Sequence, residues 1–473
     1  MPGQSLPSDV RPAWPGASYR PAVGVQTAPR EPWGWMECFV AIQLLWGAFL
    51  FIPGMQSMRL AIRVMPYAAS LGALMVFVRR AGRDRLPPSA SWLFAVFGLL
   101  GLNLLHESTH LLAGVGQWAL QIAIAAPALW AGSVVQSRER FERFLWLVFA
   151  ASFLSAGLGV LQTYFPDRFL PPEFSAVAQA MNPDIVESLT YTGASGQAIV
   201  RPPGLSDLPG GAAVAGMTTV VLGVALAAHP TTALPMRVAT LGAAAVGMTT
   251  LYLTQVRSLS ALAVVSVLLM AAVRVRQGKV VLGGWIVAGG LALVLGAFAW
   301  ATAVGGSAVY DRFASLFGDG VINSYQENRG LFLKYTVVEL LEAYPLGAGL
   351  GRWGMMQLYF GDATHWQAPP IYVELQITGW LLDGGVLMWL VYGGALLSSL
   401  RYAYAVALHA GDERVRSMAT VVLSLMVAVV GMCFSGPVFN TQLGIVYWTL
   451  AAALFGVVDA TRRAGAAGRP EGD

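Results

Sequence analysis

Five arginines carry the chemistry this chain offers: Arg201, Arg257, Arg312, Arg329 and Arg352. Arg201 opens Arg201-Pro202-Pro203-Gly204-Leu205-Ser206-Asp207, and Arg257 sits in Thr254-Gln255-Val256-Arg257-Ser258. Arg329 begins a helical stretch that leads to Tyr344-Pro345-Leu346-Gly347-Ala348-Gly349-Leu350-Gly351-Arg352. Planar guanidinium forks match phosphate and diphosphate oxygens bidentately. Arginine is costly near hydrocarbon, so several gathered on one face of a membrane protein point to a polyanionic ligand at the surface. Taken singly, each could equally be an anchor that snorkels to lipid headgroups. Trp353, Tyr359, Phe360 and Trp366 lie nearby, aromatics suited to the bilayer interface or to stacking on sugar rings.

The elements that must position these groups are membrane helices. Of 473 residues, 56% are hydrophobic and only 11% charged, against roughly 25% charged in soluble domains. The mean hydropathy is +0.60. Hydropathy predicts about twelve spans, near 36–54, 61–78, 90–106, 112–135, 144–165, 205–228, 237–255, 258–273, 280–303, 371–400, 417–435 and 441–460. The fold expected is therefore all-α and polytopic. The first residues are Pro-, Gly- and Ser-rich and read as a flexible cytoplasmic tail (1–35) without a cleavable signal pattern. With that tail inside, about 20 of the 29 basic residues fall in cytoplasmic loops, as the positive-inside rule requires. Both termini are then cytoplasmic.

The same alternation divides the chain into N-terminal helices (36–165), an outer loop (166–204), central helices (205–303), a large outer loop (304–370), C-terminal helices (371–460) and a short inner tail (461–473). Loops this long are usually functional or disordered. The larger one holds an amphipathic candidate helix, 330–342, that should stop before Pro345. The pI near 9.1 does not argue for nucleic acid, because the basic residues sit in short loops without a contiguous face. Cys38 and Cys433 lie far apart in apolar segments and form no disulfide framework. Intramembrane charges are scarce, with Glu37 and Arg63 near span ends, which weakens a transporter reading.

One rival motif stands out. His106-Glu107-Ser108-Thr109-His110 matches the His-Glu-x-x-His pattern of zinc proteases, in which two histidines share one helical face. It falls at the outer end of a span, where a second span soon begins, so an unbroken helix there is doubtful. A protease would also leave the arginines unexplained.

In their order and spacing, these residues resemble the O-antigen ligase and polysaccharide polymerase superfamily of bacterial envelopes, over about residues 140–400. The resemblance rests on Gln162, Arg201 to Gly204, and Thr254-x-x-Arg257-Ser258. It rests most on Arg329 followed by Pro345-Leu346-Gly347-x-Gly349-x-Gly351, with Asp383-Gly384-Gly385 where the family usually has Glu-x-Gly. It implies a GT-C-class glycosyltransferase of the inner membrane. Such an enzyme moves glycan from a polyprenyl diphosphate to an acceptor hydroxyl on the periplasmic side, without nucleotide sugar, metal or other cofactor. A flippase and a chain-length regulator are the implied partners.

The chain departs from the family at one position. About nine residues before its Glu-x-Gly the family carries a His-Asn pair whose histidine is the favoured base; the equivalent position here is Glu374. A carboxylate could accept the same proton if desolvation raised its proton affinity. His365 is the alternative base. On this reading Arg201, Arg257 and Arg329 hold the diphosphate, while Arg312, Arg352, Asp207, Trp353 and Trp366 bind substrate more peripherally. The missing histidine favours polymerase over ligase.

Overall fold

A computed structural model describes residues 34–467, apart from 53, 82–84, 171–189, 193–197, 207–209, 306–309, 311–322, 324 and 363–368. The fold is a bundle of long apolar helices. Nine helical segments among the described residues are long and apolar enough to cross a membrane, and three shorter apolar helices accompany them. In chain order, α1 is Trp35–Leu45, α2 Arg59–Ala81, α3 Ala90–Asn103, α4 Leu111–Val134, α5 Arg138–Tyr164 and α6 Gly211–Ala227. They are followed by α7 Leu234–Thr254, α8 Arg257–Arg276, α9 Val280–Gly305, α10 Gln376–His409, α11 Glu413–Met432 and α12 Gln442–Ala467. The shorter three are α3, α6 and α1 with the 3₁₀ turn that extends it to Phe51.

Each predicted span overlaps one of these helices, nine of which, among the described residues, are long and apolar enough to cross, and several boundaries move. Helix α5 starts six residues before the predicted 144, because Ser137 caps it by accepting from the Arg140 N–H at 3.2 Å. Helix α6 starts only at Gly211, since Arg201 to Ser206 forms a separate segment packed against α5. Helix α10 starts at Gln376, leaving 371–375 non-helical. The larger loop contains a helical run over 326–343 with two π turns, which ends before Pro345 as expected. The smaller loop contributes a two-stranded antiparallel hairpin, Thr190–Thr192 with Ala198–Val200, the single exception to helix among the described regular elements.

Small residues let the helices approach closely. A Cβ on Gly216 would lie 2.7 Å from the Gly247 carbonyl oxygen, and one on Gly456 only 2.1 Å from that of Gly132, so α6–α7 and α4–α12 pack backbone to backbone. Aromatic rings fill the wider gaps, as where Trp380, Tyr392, Phe439, Tyr447 and Trp448 stack around α10 and α12.

The connections sort to two ends of the bundle. At one end, Glu37 pairs with Arg143 at 3.2 Å and Arg140 at 3.7 Å, Arg138 with Asp412, and Lys279 with Glu413. Gln277 there donates to Thr420 at 3.0 Å. This basic end collects the loops that the sequence reads as cytoplasmic. The other end collects 106–110, 201–206, 255–257, 325–362 and 433–440, and every described residue of the expected site stands there.

Candidate functional site

The site end is organised by a break in α10. Gly384 (φ −164°, ψ 18°) and Gly385 (φ 66°, ψ −157°) leave helical geometry. A helix break frees backbone groups that must find partners when water is excluded. The Pro345-to-Gly351 loop supplies them: the Ala348 N–H donates to the Leu382 carbonyl at 2.8 Å, and the Val386 N–H to that of Pro345 at 3.0 Å. Gly385 must be glycine, since a Cβ there would lie 2.2 Å from the Pro345 oxygen on a left-handed backbone. Gly347, Gly349 and Gly351 also have positive φ (107°, 92° and 74°), which lays the loop flat against α10 and the start of α4.

Asp383, fully buried beside the break, locks the arrangement. Its Oδ1 accepts from Trp353 Nε1 and its Oδ2 from Gln117 Nε2, both at 2.8 Å, while its carbonyl accepts from Asn103 Nδ2 at 3.0 Å. Three elements distant in sequence thus meet on one residue. Trp353 and Arg352, expected at the ligand, are instead internal struts: they are 2% and 5% exposed. Arg352 donates to the carbonyls of Ala348 at 3.0 Å and Pro369 at 2.9 Å, joining the glycine loop to the strand-like stretch before α10. Neither presents a face to a sugar ring in this structure.

That stretch carries Glu374. Its end is fixed by Gln376, whose N–H donates to the Cys433 carbonyl at 3.1 Å and whose Oε1 accepts from the Phe439 N–H at 2.7 Å. Glu374 forms an ion pair with Arg329, and its other oxygen accepts from the Tyr372 hydroxyl. Tyr372 and Glu374 are two apart in an extended stretch, so they share a side. The helical run bearing Arg329 is held across α10 by a 2.6 Å hydrogen bond between the Thr336 and Thr378 hydroxyls. Burial holds the Arg329 guanidinium below its ordinary proton affinity, while Tyr372 and Tyr325 act in the opposite direction. Burial likewise raises the Tyr325 hydroxyl, which donates to the Phe434 carbonyl at 3.2 Å.

The Arg201 segment lies against α5 and Arg257 opens α8, at the same end of the bundle. Gln162 on α5 clamps the Arg201 segment, accepting from the Gly204 N–H at 2.8 Å and donating to its carbonyl at 3.0 Å. Gln255, at a left-handed φ of 55°, ends α7 so that Arg257 becomes the first residue of α8. A Cβ on Gly210 would meet Val256 at 3.7 Å, so the start of α6 lies beside the turn before Arg257. Leu262 in turn reaches Gly431 near the end of α11, three residues before the Phe434 that Tyr325 grips. Arg201, Arg257, Arg329 and Glu374 are all half-buried. No protein-family model matches this chain, and no curated protein does.

The His-Glu-x-x-His motif does not adopt the geometry a zinc pair needs. Residues 104–110 form turns after α3, so His106 and His110 share no helical face. His106 Nδ1 accepts from the Ser108 N–H at 3.2 Å, and Thr109 Oγ1 donates to the Asn103 carbonyl and accepts from the Leu350 N–H. The motif seats the glycine loop. Among the described residues, no three His, Cys, Asp or Glu side chains gather as a metal site. Arg312, Asp207, His365 and Trp366 lie outside the described residues.

Sequence reasoning missed Tyr372, Tyr325 and the Asp383 lock. The Tyr-x-Glu spacing before a helix was the one available signal for the first. Chemically, the site offers a guanidinium paired with a carboxylate at the end of an apolar bundle.

Proposed function

We propose that this chain is a glycosyltransferase that polymerises polyprenyl-diphosphate-linked saccharide units at the periplasmic face of a bacterial inner membrane. It would cross the bilayer twelve times, with both termini cytoplasmic. One observation carries the reading: Glu374 sits directly on Arg329, at the bundle end that also holds the Arg201 and Arg257 segments. A proton acceptor beside fixed positive charge is what glycosyl transfer from a diphosphate requires. The arginine order and the glycine loop, which resemble the O-antigen ligase and polymerase superfamily, support the same assignment.

The acceptor hydroxyl oxygen attacks the anomeric carbon, and the carbon–oxygen bond to the diphosphate breaks. The bonding pair leaves with the diphosphate, whose growing charge the arginines neutralise. The hydroxyl proton passes to Glu374. Before substrate binds, Arg329 is paired with that carboxylate. A diphosphate carries more negative charge than one carboxylate and takes over the guanidinium. Glu374 is thereby released from its ion pair to accept the hydroxyl proton.

Arg329→Lys or Arg257→Lys should lower polymer yield by roughly 10²-fold or more, because a point charge replaces a bidentate fork at a developing anion. The readout is polymer length on a gel, with membrane abundance of each variant as control. Retained long-chain polymer in both variants would sink the assignment. Deleting the gene separates polymerase from ligase: unpolymerised repeat units accumulate in the first case, and finished polymer stays on its lipid carrier in the second.

A further inference from the structure

A cavity at the basic end of the bundle, opposite the site described above, has no part in the proposed transfer. Its volume is about 210 Å³. One wall is apolar, with Leu145, Trp146, Met236 and Met418; the other presents Glu142 and His229. His229 is 8% exposed. Its Nδ1 is 2.9 Å from Thr231 Oγ1, whereas its Nε2 has no hydrogen-bond partner. Glu142 Oε1 is also buried without one, and the two atoms face each other at 3.8 Å, too far for a direct bond.

The turn that carries His229 is built rather than loose. Arg237 Nε donates to the Thr232 carbonyl at 2.9 Å and its Nη2 to that of His229 at 3.4 Å. Burial, with the Arg274 and Arg414 charges, lowers the proton affinity of His229, against a smaller opposing effect of Glu413. The imidazole is therefore neutral. In the tautomer that donates its Nδ1–H to Thr231, Nε2 is an acceptor facing a carboxylate oxygen. Two acceptors at that separation can both be met by one donor with two or more hydrogens, and leaving them unmet costs free energy. Burial raises the proton affinity of Glu142, and the Arg414 charge, which acts on both Glu142 and His229, opposes that rise.

We propose that this cavity binds the headgroup of a zwitterionic aminophospholipid, its primary ammonium bridging Glu142 Oε1 and His229 Nε2. The phosphate lies toward Arg414, and Trp146 and Met236 receive the start of the acyl chains. A quaternary ammonium cannot donate to either acceptor, and an anionic headgroup without an amine meets Glu142 with like charge.

The test is native mass spectrometry of the delipidated full-length protein. It is offered phosphatidylethanolamine, phosphatidylcholine and phosphatidylglycerol of identical acyl chains. The wild type should retain phosphatidylethanolamine roughly tenfold better than the other two, the scale of one charge-assisted hydrogen bond. Glu142→Gln should remove that preference. Met236→Trp, which fills the cavity from its apolar side, should do the same without touching a polar group and carries the test if the first variant fails to fold. Equal retention of all three lipids by the wild type overturns the proposal. So does preference for phosphatidylglycerol, or a preference that survives both substitutions.

Discussion

At the residue scale, the pairing of Glu374 with Arg329 makes opposite demands on binding and turnover. Glu374→Gln removes the internal competitor for the guanidinium, so inorganic pyrophosphate should bind the variant several-fold more tightly than the wild type. The same change removes the proton acceptor, and polymer formation should fall by about 10²–10⁴-fold. Isothermal titration and a polymerisation assay read the two effects separately. Weaker pyrophosphate binding by Glu374→Gln would mean that the carboxylate does not compete for that charge. Failure of pyrophosphate to bind either form would count against the anion site itself.

At the scale of elements, the broken start of α10 is the feature on which the site's geometry depends. Gly385→Ala puts a methyl into the Pro345 carbonyl on a left-handed backbone, which should destabilise the loop-to-helix junction by about 2–4 kcal/mol. Thermal unfolding in detergent should show a lowered midpoint, and proteolysis should show earlier cutting within 345–353. Asp383→Leu should be comparably harmful, since it strands the Trp353 and Gln117 donors in a buried setting. The helices themselves were legible because hydropathy over a span reports burial in lipid directly. That Arg201, Arg257 and Arg329 stand at one end of the bundle was legible because charge is rare in such a chain, whereas Glu374 came only from the family resemblance. The roles of Arg352, Trp353 and the His106-to-His110 turn were not legible. Each is set by a partner on another element: Pro369 for the arginine, Asp383 for the tryptophan and Leu350 for the turn. Composition cannot distinguish an arginine that holds a ligand from one that holds two carbonyls.

At the scale of the whole molecule, the two ends of the bundle differ in chemistry, and the proposal assigns them to opposite membrane faces. Leu346→Cys, at a 70% exposed position of the glycine loop, should react in intact cells with a membrane-impermeant maleimide that crosses only the outer membrane. Lys279→Cys at the basic end should react only after the inner membrane is opened. Reversed labelling would turn the molecule over and place the arginines away from any periplasmic donor.

Asn103 and Gln117 belong to the first quarter of the chain, which contributes none of the expected reacting groups, yet both grip Asp383 from across the fold. The early helices therefore act as a jig for a workpiece made some 270 residues later, as the separations of 280 and 266 positions imply. Two fragments expressed separately, divided between α5 and α6, should be inert alone and recover activity only when they assemble in one membrane.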